Sequence, residues 1–193
     1  MNRFMDVQTQ HRVGFVSVCF VGGQAYPFFP VPMHDIANQV IDLRHLWGHE
    51  ADAMQERVER LETTAQRVQL IQSYLVARLR KSGPFDSGIA FCIDQIRRAN
   101  GQLSVEELAN RAGVCNRQLV RRFNQFIGLS PKEFARMTLF MNALKQLRTY
   151  PALSLTEIAY ESGYYDQAHF IHACRAYSGL TPRQVASSGH VLY

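Results

Sequence analysis

The chain of 193 residues is poor in the features that mark several large functional classes. No stretch approaches the roughly 18 apolar residues that a bilayer-spanning helix requires. The opening MNRFMDVQTQ has no apolar core of signal-peptide type, so a cytoplasmic chain with no membrane partner is expected. Cysteine is sparse: Cys19, Cys92, Cys115 and Cys174 lie far apart and form no C-x-x-C pair. They read as reduced thiols. No Cys/His cluster has zinc-ligand spacing and the seven histidines are scattered, so neither metal nor cofactor is expected. No nucleophile–base pair, carboxylate pair or phosphate loop stands out, which argues against an enzyme.

Positive charge is present, and it is unevenly placed. Residues 89–193 hold 12 Lys+Arg against 7 Asp+Glu, while residues 1–88 hold 9 of each. All of the net +5 therefore lies in the second half. A basic solvated surface has this composition, and so does an electrostatic footprint for nucleic acid.

The apolar run VGFVSVCFV (13–21), ended by Gly22-Gly23, predicts a strand buried on both faces. Pro27, Pro30 and Pro32 then exclude a helix interior. Phe20, Tyr26, Phe28 and Phe29 crowd this segment, as a hydrophobic seam or as a ligand pocket. ANQVIDLRHLWG suggests a short strand and a helical turn ending at Gly48. From Glu50 to Lys81 the spacing is helical. Met54, Val58 and Leu61 form one stripe and Val68, Ile71, Leu75 and Leu79 another, with a break at Thr63-Thr64. Such stripes pack within a chain or join two chains as a homodimer through residues 50–80. KSGPFDSG places a linker at 82–88, between an N-terminal segment (1–81) and a second domain (89–186).

The second domain repeats itself. LSVEELANRAGVCNRQLV begins at Leu103 and LSLTEIAYESGYYDQAHF at Leu153. Leu103, Ser104, Glu107, Ala109 and Gly113 match Leu153, Ser154, Glu157, Ala159 and Gly163. Ser and Glu three apart predict a capping box opening each first helix. Gly ends that helix where the chain must reverse with φ > 0. A second amphipathic helix follows, about 116–127 with Leu119, Phe123 and Phe126 inward, and about 167–178 with Phe170, Cys174 and Tyr177 inward. Both close alike, in GLSP at 128–131 and GLTP at 179–182, where Ser or Thr caps and Pro takes the first helical position. Helix, Gly turn, helix is the helix-turn-helix unit. Its two copies span 104–128 and 154–179. Between them a helix over 131–148 buries Phe134, Met137, Met141, Leu144 and Leu147 and makes a rod of roughly 25 Å. The fold class expected is mainly α: two helix-turn-helix subdomains joined by a long helix, after a small α+β N-terminal segment.

With the inner faces assigned, Asn116, Arg117, Val120, Arg121 and Asn124 point outward in the first copy, with Arg122 to one side and suited to phosphate. Gln167, Ala168, Ile171 and His172 point outward in the second. Arg pairs with guanine or phosphate, Gln reads adenine, and Ala or Ile packs on the thymine methyl. Double-stranded DNA is the partner these residues suit.

LSVEELANRAGVCNRQLVRRFNQFIGLSPKEF and LSLTEIAYESGYYDQAHFIHACRAYSGLTPRQV resemble the two helix-turn-helix units of the AraC/XylS family of bacterial transcription regulators. The resemblance covers about residues 85–186. It implies a seven-helix bipartite domain, promoter binding and contact with RNA polymerase. The family's base-reading positions fall on Arg117, Val120, Arg121, Gln167, Ala168, Ile171 and His172. Three positions depart from the family's pattern: His172 stands where Arg is usual, Cys174 where Phe is usual, and Cys115 where a Ser cap is usual. The first 80 residues, with GGQAYPFFPVP and LWG, resemble the end of a sensor domain seen in some members. They are expected to be a shortened sensor or a small dimerisation module. Two alternatives stay open beside a plain DNA-binding regulator. One is control by a small-molecule effector or by redox chemistry, gated through the N-terminal segment or Cys115. The other is an anti-activator acting by protein contact.

Overall fold

The computed structural model describes residues 16–187. Within them the chain forms α1 (Met33–Ile36), α2 (Leu43–Trp47), α3 (His49–Glu59), α4 (Thr64–Lys81), α5 (Ser87–Arg98), α6 (Val105–Ala112), α7 (Asn116–Ile127), α8 (Pro131–Thr149), α9 (Leu155–Glu161), α10 (Gln167–Ser178) and α11 (Pro182–Ser187). A single 3-10 turn at Tyr26–Phe28 precedes them. The mainly α class is as expected.

The described residues divide into two compact units. One holds residues 16–90 together with Val120–Ser130. In it α2, α3 and α4 pack in sequence, and the 3-10 turn lies on α4. The break between α3 and α4 falls where two threonines compete with the helix for backbone hydrogen bonds. Thr63 caps α4 by accepting from the Gln66 amide at 3.3 Å, and Gln66 accepts from the Thr63 amide at 3.2 Å. The Trp47 indole donates to the Phe28 carbonyl at 3.0 Å and fastens the proline-rich loop to α2. Phe20 lies 4.7 Å from Phe28 by ring centroid and Phe29 lies 6.4 Å from Trp47, so the expected aromatic seam is present.

The expected strands are not. Among the described residues no strand forms. Val16, Val18 and Val21 are 36%, 43% and 60% exposed instead of buried on both faces. A strand needs a neighbour to take its backbone N–H and C=O groups. Among the described residues no other segment is a strand, so the run has none. Residues 13–15 of that prediction lie outside the described residues. In ANQVIDLRHLWG, Val40 is 80% exposed and the strand is absent, because Asp42 turns the chain into α2 by accepting from the Arg44 amide at 2.9 Å.

The other unit holds Phe91–Leu119 and residues 131–187. α8 packs against α9, α10 and α11. Their shared core is Phe140, Ala143, Leu144, Ile158, Ala159, Tyr164, Phe170, Cys174 and Val185. Ala143, Ile158, Ala159, Phe170 and Cys174 are fully buried. Small Ala at 143 and 159 lets helix axes come close enough for Phe170 to fill the space between them. Of the stripe expected on α8, Phe134 and Leu144 are buried while Met137, Met141 and Leu147 are half-buried; Ala135, Phe140 and Ala143 complete its inner face. Pro131 opens α8 and Pro182 opens α11, both buried. Tyr150-Pro151 stops α8, since the ring of Pro151 disfavours helical backbone before it.

Candidate nucleic-acid interface

The two repeats build the same turn. In the first, the Gly113 amide donates to the Asn110 carbonyl at 3.2 Å and the Val114 amide donates to the Ala109 carbonyl at 3.1 Å. In the second, Gly163 donates to Tyr160 at 2.9 Å and Tyr164 donates to Ala159 at 2.8 Å. This nested pair is the Schellman motif. It requires left-handed backbone at the glycine, and Gly113 and Gly163 have φ of 65° and 88°. The Ala-x-x-x-Gly spacing is therefore a frame for chain reversal. Its alanine carbonyl ties the turn, and its buried methyl admits close packing.

The opening caps differ. Ser154 Oγ accepts from the Glu157 amide at 3.2 Å, and Glu157 Oε2 accepts from the Ser154 amide at 2.7 Å, a complete capping box. The bonds from Ser154 hold the Glu157 carboxyl below the ordinary range. Ser104 Oγ accepts from the Glu107 amide at 3.0 Å, but the return bond is not the one expected. Glu107 pairs with Arg111 at 2.5 Å, and Arg111 reaches Gln95 at 2.8 Å. A guanidinium one turn away wins the carboxylate from a neutral amide, because the charge-assisted bond is the stronger.

The second helices also start differently. Beyond the turn the offset between copies is 51, so Asp166 stands where Cys115 does. Asp166 Oδ1 accepts from the His169 amide at 2.7 Å and caps α10. Cys115 has no side-chain oxygen. There Gln118 Oε1 reaches back to the Cys115 amide at 3.4 Å. Cys115 is exposed.

Leu119 and Phe123 are buried, which leaves the opposite side of α7 outward. Asn116, Arg117 and Arg121 are exposed, and Val120 is 36% exposed. Among the described residues neither Arg117 nor Arg121 takes an ion-pair partner. Arg122 is held differently. Half-buried, it pairs with Asp86, whose Oδ1 also accepts from the Ile89 amide at 2.9 Å and caps α5. The Arg122 hydrogen bond, ahead of smaller contributions from backbone amides, holds the Asp86 carboxyl below its usual value. Gly88 lies directly under this guanidinium: a Cβ there would stand 2.9 Å from its nitrogens. The Tyr26 hydroxyl accepts from the Asp86 amide at 2.8 Å, and its ring meets Phe126 edge-on at 5.1 Å.

On α10, Ala168 and His172 are exposed and Ile171 is half-buried. Gln167 is half-buried, and its Oε1 accepts from Thr156 Oγ1 at 2.8 Å. This bond from α9 fixes the carboxamide that opens the second outward face. His172 sits at the edge of a cleft of about 600 Å³, with Tyr164, His169 and Arg136 on its walls. Cys174 lies beneath the helix, and burial pushes its thiol up to about 12.

Thr156, Asp86 and Tyr26 were not among the residues expected to shape this surface. Asp86 had a legible signal, as an Asp followed by Ser-Gly and a helical stripe, which is an N-cap pattern. Its hold on Arg122, 36 positions away, had none.

A profile for a helix-turn-helix domain matches residues 108–188. The chain is 30% identical over 82 residues to the HTH-type transcriptional regulator ArgR of Pseudomonas aeruginosa, covering 42% of this chain and 25% of that protein. It is 29% identical over 126 residues to an uncharacterized HTH-type transcriptional regulator of Haemophilus influenzae, covering 60% of this chain and 42% of that one. The chain thus spans less than half the length of either relative. A solved transcriptional regulator from Chromobacterium violaceum, described as having an AraC-type DNA-binding domain, superposes with a TM-score of 0.50 at 24% identity, over 52% of this chain and 90% of that one. The doubled turn, the paired Gly-Leu-Ser/Thr-Pro terminators and these matches agree: residues 108–188 form a helix-turn-helix domain, and its fold is similar to that of a solved AraC-type DNA-binding domain.

Proposed function

We propose that this protein is a sequence-specific DNA-binding transcription regulator that reads two adjacent major grooves, one with α7 and one with α10. The observation that carries the reading is the exposed pair Arg117 and Arg121, without ion-pair partners among the described residues, on the side of α7 opposite the buried Leu119 and Phe123. An arginine left unpaired at the start of the second helix of such a unit suits bidentate contact with guanine. Asn116 and Val120 flank the pair. On α10, Gln167 suits adenine while Ala168 and Ile171 suit a thymine methyl; His172 stands where the resembled family usually has arginine. The second readout is accordingly less electrostatic than the first. α8 has 19 residues, about 28 Å at 1.5 Å per residue, close to the ~34 Å between successive major-groove faces. The two matched relatives carry the name of transcriptional regulators, which supports the same reading.

The test is duplex binding by purified protein. Arg121→Ala is expected to weaken a selected site by ~1–3 kcal/mol and relax base choice at one position. Equal loss on every sequence would make Arg121 a phosphate contact. No duplex binding by the folded protein would favour an anti-activator acting by protein contact. Oxidant-sensitive binding that Cys115→Ser abolishes would favour a redox gate at that exposed thiol.

A further inference from the structure

In the unit formed by residues 16–90 and Val120–Ser130, a cleft of about 430 Å³ opens between the proline-rich loop, the C-terminal end of α4 and α7. That volume lies within the range of small-molecule sites, about 300–1,000 Å³. Its apolar wall includes Tyr26, Phe28, Phe29, Pro84 and Phe126, and its two charged lining residues are Arg78 and Lys81. No Asp or Glu lines it.

The charges decide what the cleft suits. Arg78 is mostly buried, stacks on Trp47 at 4.2 Å and meets Glu50 at 3.3 Å through one terminal nitrogen. Its Nε is buried without a hydrogen-bond partner, a donor that Glu50 leaves unused. A buried donor without an acceptor is unfavourable, and it leaves the Arg78 guanidinium only partly satisfied by Glu50. Lys81 is exposed and has no acidic partner among the described residues. Setting Glu50 against Arg78 leaves the charge of Lys81, which suits a monoanion better than a phosphate dianion. The aromatic and proline walls suit an apolar body.

We propose that this cleft binds a small amphipathic carboxylate, with its apolar body against Tyr26, Phe28 and Phe126 and its carboxylate between Lys81 and Arg78. The site stands independently of DNA binding, and its test does not use DNA.

Trp47 is the chain's single tryptophan and touches both Arg78 and Phe29, so its emission reports on the cleft. The probes are 4-phenylbutyrate and its neutral amide, 4-phenylbutyramide, titrated into the full chain with excitation selective for tryptophan. Gly83 lines the cleft, has ordinary backbone and faces open space, so Gly83→Phe fills the cleft without strain. The proposal expects a saturable change with the acid and about tenfold weaker binding both of the amide and of the acid to Lys81→Gln, since loss of one charge-assisted contact is worth about 1.4 kcal/mol. It also expects no binding to Gly83→Phe. The proposal is overturned if the amide binds the unaltered protein as tightly as the acid, or if folded Gly83→Phe binds like the unaltered protein. It is overturned equally if neither compound changes the emission up to about 10 mM, an affinity below about 3 kcal/mol.

Discussion

Asp86 holds Arg122: the carboxylate that caps α5 pairs with a guanidinium on α7, and both belong to the same compact unit. Arg122 was expected to be a phosphate contact, and in the free protein its charge is already engaged. Asp86→Asn keeps an oxygen for the Ile89 amide and weakens the hold on Arg122. The expected outcome is tighter binding to duplexes of any sequence, with the salt dependence steeper by about one phosphate contact. Binding measured by anisotropy across a salt series checks this, and an unchanged slope contradicts it.

The same pair sets an acid response. The Asp86 carboxyl is depressed in the folded chain, chiefly by the Arg122 hydrogen bond. The folded state therefore binds its proton less readily than the unfolded state does. The stability from this pair is present above the ordinary carboxyl value of 3.8 and is lost as pH falls through the depressed one. Thermal unfolding followed from pH 7 downward should show Asp86→Asn losing less stability in that acid window than the unaltered protein. Parallel curves would contradict it.

Gly113 and Gly163 have the same role and different surroundings. Both have positive φ, so Ala at either strains the turn by roughly 1–2 kcal/mol. Nothing lies within 4 Å of a Cβ at Gly113, whereas a Cβ at Gly163 would meet the Gln102 carboxamide at 2.4 Å. That carboxamide donates to the Ser162 carbonyl at 3.4 Å. Gly163→Ala should therefore destabilise more than Gly113→Ala in urea unfolding. Adding Gln102→Ala should reduce the cost at position 163 and leave the cost at 113 unchanged. Equal costs at the two glycines would show that Gln102 moves aside freely.

Phe170 is fully buried in the core of the second subdomain. Phe170→Ala should cost about 3–5 kcal/mol. Cys174→Ser places a hydroxyl in the same core and should cost less, roughly 1–3 kcal/mol, the penalty for an unpaired buried polar group. Chemical denaturation of both variants orders the two. A larger loss for Cys174→Ser would mean that its pocket tolerates less than Phe170's.

The parts of the fold that were legible are those where local chemistry decides. The paired glycines, the Ser154–Glu157 box, the Thr63 break and the prolines opening α8 and α11 each act within a few residues, so spacing revealed them. Residues 16–21 form no strand because propensity does not supply a partner strand. The return bond of Ser104 was misread because Arg111 competes for Glu107, and competition depends on three-dimensional reach. The outward positions of α7 followed from burial of Leu119 and Phe123, which periodicity predicts. The engagement of Arg122 did not, because Asp86 lies in a segment that reads as linker. Thr156's bond to Gln167 crosses from α9 to α10 and was likewise hidden.

The most direct measurement is selection of bound duplexes from a random pool by the purified chain, run in parallel with Arg121→Ala and Gln167→Ala. The account predicts two blocks of preferred bases about one helical turn, ~10 base pairs, apart. Arg121→Ala should relax a position in one block and Gln167→Ala a position in the other. A single block that both substitutions weaken alike, or a pool without enrichment, would contradict two separate readouts.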